Sequence, residues 1–436
     1  MSRYYRGMNR SIPWVTTPED AFSPLPGNAP LPRFRSLPDP NIDAAQVAAQ
    51  GWHRRELLLP ALTVRASSLE HNAHVHATWC AENGVSQAPH TKTHMSPELV
   101  RLQMQSGAWG MTAASVHQAR FLAALGVERI ILAHELADPG NIHALARLRV
   151  QHPDVQVIPI VDSLSGVELL GRHLSEAGAA HPQSVLVELG VLGGRTGVRE
   201  QAQLVEVAAA VRAAPALRLV GVEGFEGILP VGRDAASLAR VDDYLAQLAA
   251  VIVEADRRDL FDETEEILLT AGGSVFPDRV AAIERPPTSR PLRLVVRSGA
   301  TVTHDHGPSA ACVPLAPEAK HPSGALRPAL DLWASVVSTP EPGLTLANFG
   351  KRDAPYDSHL PVVLDVLREG EPVDAGSVSV DRMNDQHAYL THRGQLHVGD
   401  VLRLGPCHPC TAFDKWSLIP VLDDQDEVIG AVTTWF

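Results

Sequence analysis

The sequence predicts a (β/α)8 barrel that is followed by an all-β domain. Eight apolar, strand-like runs succeed one another along the first two thirds of the chain, and helical patterns fill most of the intervals. The runs are apolar on both faces, as parallel strands covered by helices should be. After about residue 300 the runs become short, β-prone and separated by turn residues. An open doubly wound sheet is the competing arrangement, because periodicity alone does not show closure.

The N-terminal segment, residues 1–52, is distinguished by its proline content. Its centre reads SPLPGNAPLPRFRSLPDP, which excludes a regular helix or a central strand. We expect this extension either to wrap over the surface of the protein or to be partly mobile. LLLPALTVRA then reads as a strand, and SSLEHNAHVHATWCAENG as a helix with Gly84 after its end. We therefore place the barrel domain at residues 53–300 and the β domain at residues 301–436.

The elements of the two domains follow in chain order. The predicted barrel strands are VSQAPH, WGMTAAS, RIILAH, VQVIPIVDS, SVLVELGV, RLVGVEGFEG, EILLTAGGS and LRLVVRSG. Helical patterns such as SVHQARFLAALG and DDYLAQLAAVIVEADRRD separate them, although the last interval is short and rich in proline. The predicted β-domain strands are LDLWASVVST, LPVVLDVL, GSVSV, DVLRLG, SLIPVL and VIGAVTTWF.

Composition and charge exclude several classes of protein. The 436 residues are 45% hydrophobic and 20% charged, which is ordinary for a globular protein. The formal net charge of −13 argues against nucleic acid or an anionic membrane as a partner. No apolar run is long enough to span a bilayer, and no apolar segment follows the basic N-terminus. Four scattered cysteines do not form a disulfide framework, so we expect a reduced, cytoplasmic protein.

The stretch QAPHTKTHMSPEL places Lys92 between two histidines, just after a predicted barrel strand. Catalytic groups of such barrels stand at the carboxyl ends of the strands. Burial there would lower the pKa of the Lys92 ammonium, which is what Schiff-base chemistry requires. If the backbone stays extended, His90, Lys92 and His94 share one face. The alternative is an ordinary surface lysine at a strand end.

The sequence AGGS, late in the barrel, resembles a phosphate-binding loop. Gly272 and Gly273 permit a close approach of the backbone, and Ser274 offers a hydroxyl. Barrel phosphate sites favour the last strand-to-helix loops, which supports this interpretation. Two glycines after a strand are also a common turn. Ser298 and Gly299, at the end of the next strand, are further candidates for cofactor contact.

The stretch GPCHPCTAFDKW contains a candidate metal site. His408 and Cys410 are two positions apart, so an extended backbone would aim both side chains at one point. Imidazole and thiolate together suit Zn²⁺, and two protein ligands leave positions open for water or substrate. A redox pair of Cys407 with Cys410 is disfavoured, because residues three apart face opposite ways. The alternative is a buried cysteine near a loop histidine.

Two more polar clusters are candidates for substrate contact. The sequence HDH includes His304 and Asp305, directly after the last barrel strand. The sequence NDQH, in the β domain, includes Asp385, Gln386 and His387. Each cluster either lines a site or forms a hydrogen-bonded loop network, and 20 histidines make chance clusters more frequent.

PHTKTHMSPEL, GAWGMTAAS, VELGVLGGRTGV and CHPCTAFDKW together resemble the D-serine dehydratase and D-threonine aldolase group. These are fold-type III pyridoxal-phosphate enzymes whose barrel is related to that of alanine racemase. The resemblance runs from about residue 57 to the C-terminus. It implies that Lys92 forms the Schiff base, that Arg195 lies beside the cofactor's phenolic oxygen and that AGGS binds the phosphate. It also implies a divalent metal on His408 and Cys410, foremost Zn²⁺, with Mn²⁺ or Mg²⁺ as alternatives.

The resemblance carries further expectations about assembly. NDQH matches the region that closes over the site from the second domain, and the group suggests a homodimer with each site near the partner's second domain. One departure concerns Phe225, in GVEGFEG, with Glu226 beside it. Relatives often place a tyrosine there, whose hydroxyl serves the cofactor ring, so tuning of the ring nitrogen would differ in this chain.

The expected activity follows from the resemblance. Dehydratase-like members carry His-x-Cys and aldolase-like members His-x-Asp at this place, so Cys410 favours elimination. The expected reaction removes water from D-serine or a related 3-hydroxy-D-amino acid and yields a 2-keto acid and ammonia. The first alternative is retro-aldol cleavage to glycine and an aldehyde. A non-catalytic carrier of pyridoxal phosphate is the third reading, and racemisation is less favoured because it needs no metal pair.

Overall fold

The computed structural model describes residues 33–178, 181–229, 232–261, 264–307 and 310–436. Their strands form one eight-stranded and one ten-stranded sheet. Every strand pairing in the eight-stranded sheet is parallel. A parallel sheet covered by helices, followed by a separate β-sheet domain, is the predicted fold class, which is thereby confirmed.

The order of the barrel strands shows a nearly closed barrel. After β1 (Ala61–Arg65), which lies in the other sheet, the barrel strands are β2 (Ser86–Gln87), β3 (Met111–Ala113), β4 (Arg129–Glu135), β5 (Gln156–Val161), β6 (Gln183–Leu189), β7 (Leu217–Gly224), β8 (Ile267–Ala271) and β9 (Leu292–Val296). The order β2-β9-β8-β7-β6-β5-β4-β3 keeps sequential strands adjacent and joins the first to the last. A bridge between His90 and Thr112 nearly closes the remaining gap, so the doubly wound alternative is wrong.

Helices follow most barrel strands, and polar side chains cap several of their first turns. The α-helices are α1 (Ala66–Glu82), α2 (Pro97–Gln105), α3 (Val116–Ala124), α4 (Pro139–Gln151), α5 (Leu164–Glu176), α6 (Gln201–Ala213), α7 (Ala235–Arg257) and α8 (Pro277–Ala281). Ser115, Asp138, Ser163 and Asp234 each accept a hydrogen bond from a backbone N–H of the following turn. Among the described residues, no helix combines the length and apolarity needed to cross a membrane.

The barrel has an inner and an outer core. Branched aliphatic side chains fill the interior, among them Ile131, Ile158 and Leu268, all less than 5% exposed. A larger cluster packs the outer faces of the strands against the helices, and Leu122 and Leu248 are fully buried within it. Because both strand faces are buried, only the strand ends are left to form a site.

The second sheet takes strands from both ends of the described chain. Its C-terminal strands are β10 (Leu330–Glu341), β11 (Leu344–Ala347), β12 (Val362–Arg368), β13 (Glu371–Pro372), β14 (Val378–Met383), β15 (Ala388–His392), β16 (Val401–Gly405), β17 (Leu418–Leu422) and β18 (Val428–Thr433). β1 lies between β10 and β17, antiparallel to the first and parallel to the second. The chain therefore passes through the second sheet before it enters the barrel, and the boundary at residue 53 stays a prediction.

The described part of the N-terminal extension packs against the second sheet. Phe34, Leu37 and Val47 are buried in one cluster with Leu418 and Val428. A short 3-10 helix, residues 44–50, contributes to this contact. The first 32 residues of the predicted extension lie outside the described residues.

Tyr244 ties α7 to the ends of two barrel strands, and its loss provides a test of the packing. The buried hydroxyl donates to the Leu189 carbonyl at 2.5 Å and accepts from the Phe225 N–H at 3.0 Å. Tyr244→Phe would leave both backbone groups without their partner, so we expect the free energy of unfolding to fall by about 2 kcal/mol. Denaturant unfolding measures the loss. Tyr356→Phe, at a side chain 48% exposed, should leave it within about 0.5 kcal/mol.

Candidate active site

A cavity of about 490 Å³ opens at the carboxyl ends of the barrel strands. It is lined by twelve of the residues singled out in the sequence, which are His90, Lys92, Arg195, Phe225, Gly272, Gly273, Ser274, Gly299, His304, Asp305, His408 and Cys410. The first ten come from the barrel and the loop that follows β9, and the last two from the second domain. One cavity thus collects groups from both domains.

Lys92 reaches the cavity from a turn rather than from an extended strand. β2 ends at Gln87, and Thr91–Thr93 form a single 3-10 turn. Burial lowers the pKa of the Lys92 amine, the effect of Cys410 opposes this shift, and Arg195 reinforces it. A larger neutral fraction of the amine is what attack on an aldehyde requires.

The expected shared face of His90, Lys92 and His94 is wrong for His94. The turn redirects the chain, so His94 is fully buried, 3.2 Å from the Gln103 side-chain oxygen and edge-on to Phe413. His90 keeps its place in the cavity lining, and burial, followed by the charge of Lys92, holds the pKa of its imidazole well below the usual range. A neutral His90 is therefore available as a hydrogen-bonding partner within the cavity.

Two turns that are far apart in the chain meet beside Lys92. The hydroxyl of Thr93 lies 3.6 Å from the Cys410 sulfur, across 317 positions of sequence. Cys410 belongs to the 3-10 turn Pro409–Thr411, which contacts the turn Thr91–Thr93. The amine and the His408–Cys410 pair consequently face the same cavity, as the sequence-based hypothesis requires.

His408 and Cys410 are close enough to influence each other's ionisation. Burial is the largest single effect and raises the pKa of the Cys410 thiol, but hydrogen bonding and charge from His408, with smaller effects of Thr93 and Lys92, together lower it. Hydrogen bonding with Cys410 raises the pKa of His408. A readily ionised thiol beside an imidazole is a donor set that suits Zn²⁺, so these residues fit a metal and leave further positions for water or substrate.

Cys407 points away from this pair. Its buried thiol donates to the Leu360 carbonyl at 3.0 Å, and both Cys407 and Cys410 are free cysteines. This geometry agrees with the low weight that the sequence assigns to a redox pair. Cys407 therefore provides a matched control for substitution of Cys410.

The predicted phosphate loop has the shape such a loop needs. Gly272 has φ = +109°, a conformation that side chains rarely tolerate, and a Cβ on Gly273 would lie 3.1 Å from the Phe225 ring. Ser274 lines the cavity. Ser298 does not line it; its fully buried hydroxyl donates to the Gly273 carbonyl and so supports the loop from behind.

Arg195 and Phe225 both line the cavity, and the Phe225 ring lies against this loop. The Arg195 guanidinium lies 4.6 Å from the centroid of the Phe225 ring, a cation–π contact. At this position the chain offers an apolar ring face and no hydroxyl. The cavity thus combines a Schiff-base lysine candidate, a cation and a glycine-rich loop, which together fit pyridoxal phosphate.

Sequence reasoning did not single out the buried Arg297–Glu223 ion pair. The Arg297 guanidinium bonds the Glu223 carboxylate and the Gly224 carbonyl, and Arg297 lines the cavity. Burial raises the pKa of Glu223 to about 7, although Arg297 opposes the shift. Charged residues inside otherwise apolar runs, GVEG and LVVRSG, were the available signal.

Glu188 is a second group that the sequence reasoning missed. One of its oxygens accepts from Thr196 at 3.1 Å, and the other is buried without a hydrogen-bond partner. Oxygens of Glu135 and Asp162 lie within 4.8 Å of a Glu188 oxygen. Burial, followed by the neighbouring Glu135, raises the pKa of Glu188 to about 7, so this carboxyl readily holds a proton near neutral pH.

The NDQH cluster lies outside the cavity lining. Asp385, Gln386 and His387 are exposed on the turn between β14 and β15. The Asp385 carbonyl accepts from the Arg352 N–H at 2.9 Å. These residues would be able to contact substrate only in the cavity of another copy of the chain, and this role stays a prediction.

Two protein families match the chain. Residues 64–258 match the alanine racemase N-terminal domain, and residues 329–422 match the family described as "Putative serine dehydratase domain". The two matches cover much of the barrel and of the second domain. The predicted resemblance is thereby confirmed, with an alanine racemase-type barrel joined to a serine dehydratase-type domain.

Two characterised relatives match over most of their length. D-threonine aldolase from an Arthrobacter species is 25% identical over 370 residues, which is 84% of this chain and 89% of that protein. The 3-hydroxy-D-aspartate aldolase of Paracoccus denitrificans is 25% identical over 380 residues, 85% of this chain and 90% of its own.

Solved structures share the fold. D-threonine aldolase from Filomicrobium marinum superimposes with a TM-score of 0.72 at 23% identity, covering 88% of this chain and 96% of that one. D-threo-3-hydroxyaspartate dehydratase from Delftia sp. HT23 gives a TM-score of 0.68 at 20% identity, covering 87% of this chain and 98% of that one. The architecture of this chain is therefore that of the alanine racemase-like barrel proteins.

The raised pKa of Glu188 leads to a pH-dependent stability. Because the folded state favours the protonated carboxyl, the wild-type protein should lose stability as the pH rises from about 5 through about 7. Glu188→Gln removes this loss. We expect its free energy of unfolding, relative to wild type, to rise by about 1–3 kcal/mol between pH 5 and pH 8.

Denaturant unfolding of the cofactor-free protein at the two pH values measures this difference. Glu206→Gln, on the exposed face of α6, is the matched control and should track the wild type at both. An unchanged difference between wild type and Glu188→Gln across the pH range would show that Glu188 is ionised throughout.

Proposed function

We propose that this protein is a lyase that uses pyridoxal phosphate and a divalent metal to remove water from a 3-hydroxy-D-amino acid such as D-serine. The products would be a 2-keto acid and ammonia. The observation that supports this proposal is that Lys92 and the His408–Cys410 pair line one cavity. A β-hydroxy amino acid has its α-amino group and its hydroxyl only two carbons apart, so both groups of residues must reach the same small molecule.

In this proposal Lys92 is the base that removes the α-proton of the substrate. Bound pyridoxal phosphate would supply the electron sink that makes the substrate α-proton removable. The free Lys92 amine would take that proton at Nζ, and its lowered pKa favours the neutral base. Arg195 and the loop Gly272–Ser274 would hold the cofactor in place during the transfer.

His408 and Cys410 serve the departing hydroxyl. A divalent metal held by this pair would act as a Lewis acid toward the hydroxyl oxygen, since hydroxide alone is a poor leaving group. Cys410 lies beside Thr93, so the pair is held next to the turn that carries Lys92. A substrate bound between Lys92 and the His408–Cys410 pair would exclude water from the space between them.

Retro-aldol cleavage to glycine and an aldehyde is the second candidate. The curated relatives that match over most of the chain are aldolases, which supports it. The same residues would bind the substrate, but the hydroxyl would lose its proton and the Cα–Cβ bond would break. The cysteine at position 410 and the dehydratase-type second domain favour elimination. A non-catalytic carrier of the cofactor would not need the metal pair in the cavity.

We further propose that the enzyme works as a cytoplasmic homodimer. The relatives that match over most of their length are enzymes of small amino acids. The exposed NDQH turn, which includes Asp385 and His387, does not line the cavity of its own chain. In a dimer this turn would be able to cover the partner's cavity. Size-exclusion chromatography with light scattering measures the assembly, and a monomer would refute this part of the proposal.

Substitution of Lys92 tests the site of cofactor attachment. Lys92→Ala should abolish the visible absorbance of the cofactor imine and reduce turnover by at least about 10⁴-fold, because it removes both attachment and base. Lys320→Ala, at an exposed lysine, should retain both. An intact imine band in Lys92→Ala would disprove the assignment of Lys92.

Metal removal and product analysis test the reaction itself. Chelation by EDTA should abolish formation of pyruvate and ammonia from D-serine, and Zn²⁺ or Mn²⁺ should restore it. Cys410→Ala should lower kcat by at least about 100-fold, whereas Cys407→Ala should retain most of it. Glycine and an aldehyde as the products from D-threonine, with no keto acid, would establish the aldolase instead.

A further inference from the structure

A second group of metal-binding side chains lies on the outer surface of the barrel, between α4 and α5. His143 projects from α4, and His173 and Glu176 project from the last turn of α5. One ligand atom from each residue lies within 4.8 Å of those from the other two. None of the three lines the central cavity.

The local contacts bring these side chains to one point. His173 Nδ1 lies 2.8 Å from a Glu176 carboxylate oxygen, an i,i+3 pair on one helix face. The His143 ring meets the His173 ring edge-on, with centroids 5.6 Å apart. The His173 side chain is 14% exposed and that of Glu176 is 54% exposed, so the group is open to solvent on one side.

The chemistry of this set matches a transition-metal ion. Two imidazoles and one carboxylate are a recurring three-ligand set for Zn²⁺, with the fourth position left to water or an anion. Tetrahedral Zn²⁺ with bonds of about 2.0–2.2 Å needs ligand atoms about 3.4 Å apart, so side chains that already lie within 4.8 Å of one another need only small shifts to enclose the ion. Imidazole ligands disfavour Mg²⁺ and Ca²⁺.

We propose that His143, His173 and Glu176 form a surface site for Zn²⁺ or a similar transition-metal ion, separate from the His408–Cys410 pair. Such an ion would join α4 to α5, two helices that otherwise meet through side-chain packing. Because the unfolded chain does not hold the three ligands together, binding would stabilise the folded barrel. The proposal does not depend on the reaction that the central cavity performs.

The experiment isolates this site by removing the other one. In the full-length, cofactor-loaded His408→Ala/Cys410→Ala variant, titration of Zn²⁺ against a chromophoric chelator should detect about one ion per chain. Adding His143→Ala should weaken that binding by at least about tenfold. Loss of a residue that merely hydrogen-bonds to a metal ligand already weakens metal binding by about tenfold or more, and loss of the ligand itself should weaken it at least as much. Glu176→Gln should weaken it as well.

His152→Ala, at the end of α4 and outside the cluster, is the matched control and should leave Zn²⁺ affinity unchanged. Zn²⁺ should also raise the melting temperature of the His408→Ala/Cys410→Ala variant by a few degrees, but not after His143→Ala is added. Circular dichroism and the melting temperature without metal establish that each variant folds.

Equal Zn²⁺ affinity with and without His143 and Glu176 would overturn the proposal, as would binding detected only at millimolar Zn²⁺. In the otherwise wild-type chain, His143→Ala should leave turnover unchanged while the bound Zn²⁺ falls from about two ions per chain to about one. Failure of this surface site would therefore be seen separately from any failure of the proposed lyase.

Discussion

The contact between the turn Thr91–Thr93 and the turn Pro409–Thr411 is the interaction on which the active site depends. Thr93 and Cys410 touch across 317 positions of sequence, which places the Lys92 amine and the His408–Cys410 pair around one cavity. Apart, either turn would be an ordinary polar loop. Together they leave room for a substrate between two chemically different groups, at a place where burial lowers the pKa of the amine although Cys410 opposes the shift.

The second domain holds this contact in place because its strands come from the chain both before and after the barrel, so that the two domains are connected twice. β1 is an inner strand of the second sheet, and α1 begins directly after it at Ala66. Leu69 from α1 and Leu99 from α2 share a hydrophobic cluster with Phe413 and Trp416. Burial of these side chains fixes the turn that carries Cys410 more firmly than a loop alone could do.

Two charged residues, Glu188 and Arg297, line the cavity among apolar strands, and Glu223 pairs with Arg297 beside it. Glu188, Glu223 and Arg297 are each less than 9% exposed, in strands or at strand ends where aliphatic residues are the rule. The Arg297–Glu223 ion pair compensates two of these charges, and the raised pKa of Glu188 keeps its carboxyl partly neutral. Such departures from simple packing are expected where a site must bind a polar molecule.

The sequence by itself determined the eight alternating units, the all-β second domain and the polar residues at strand ends, among them Lys92 and Gly272. Hydrophobic periodicity and the residues that follow a strand are local properties, and local properties can be read along a chain. Only the tertiary structure decided that β1 joins the second sheet, that His94 turns away and that Arg297 pairs with Glu223. Those outcomes depend on contacts between residues far apart in sequence, whose energies no local pattern contains.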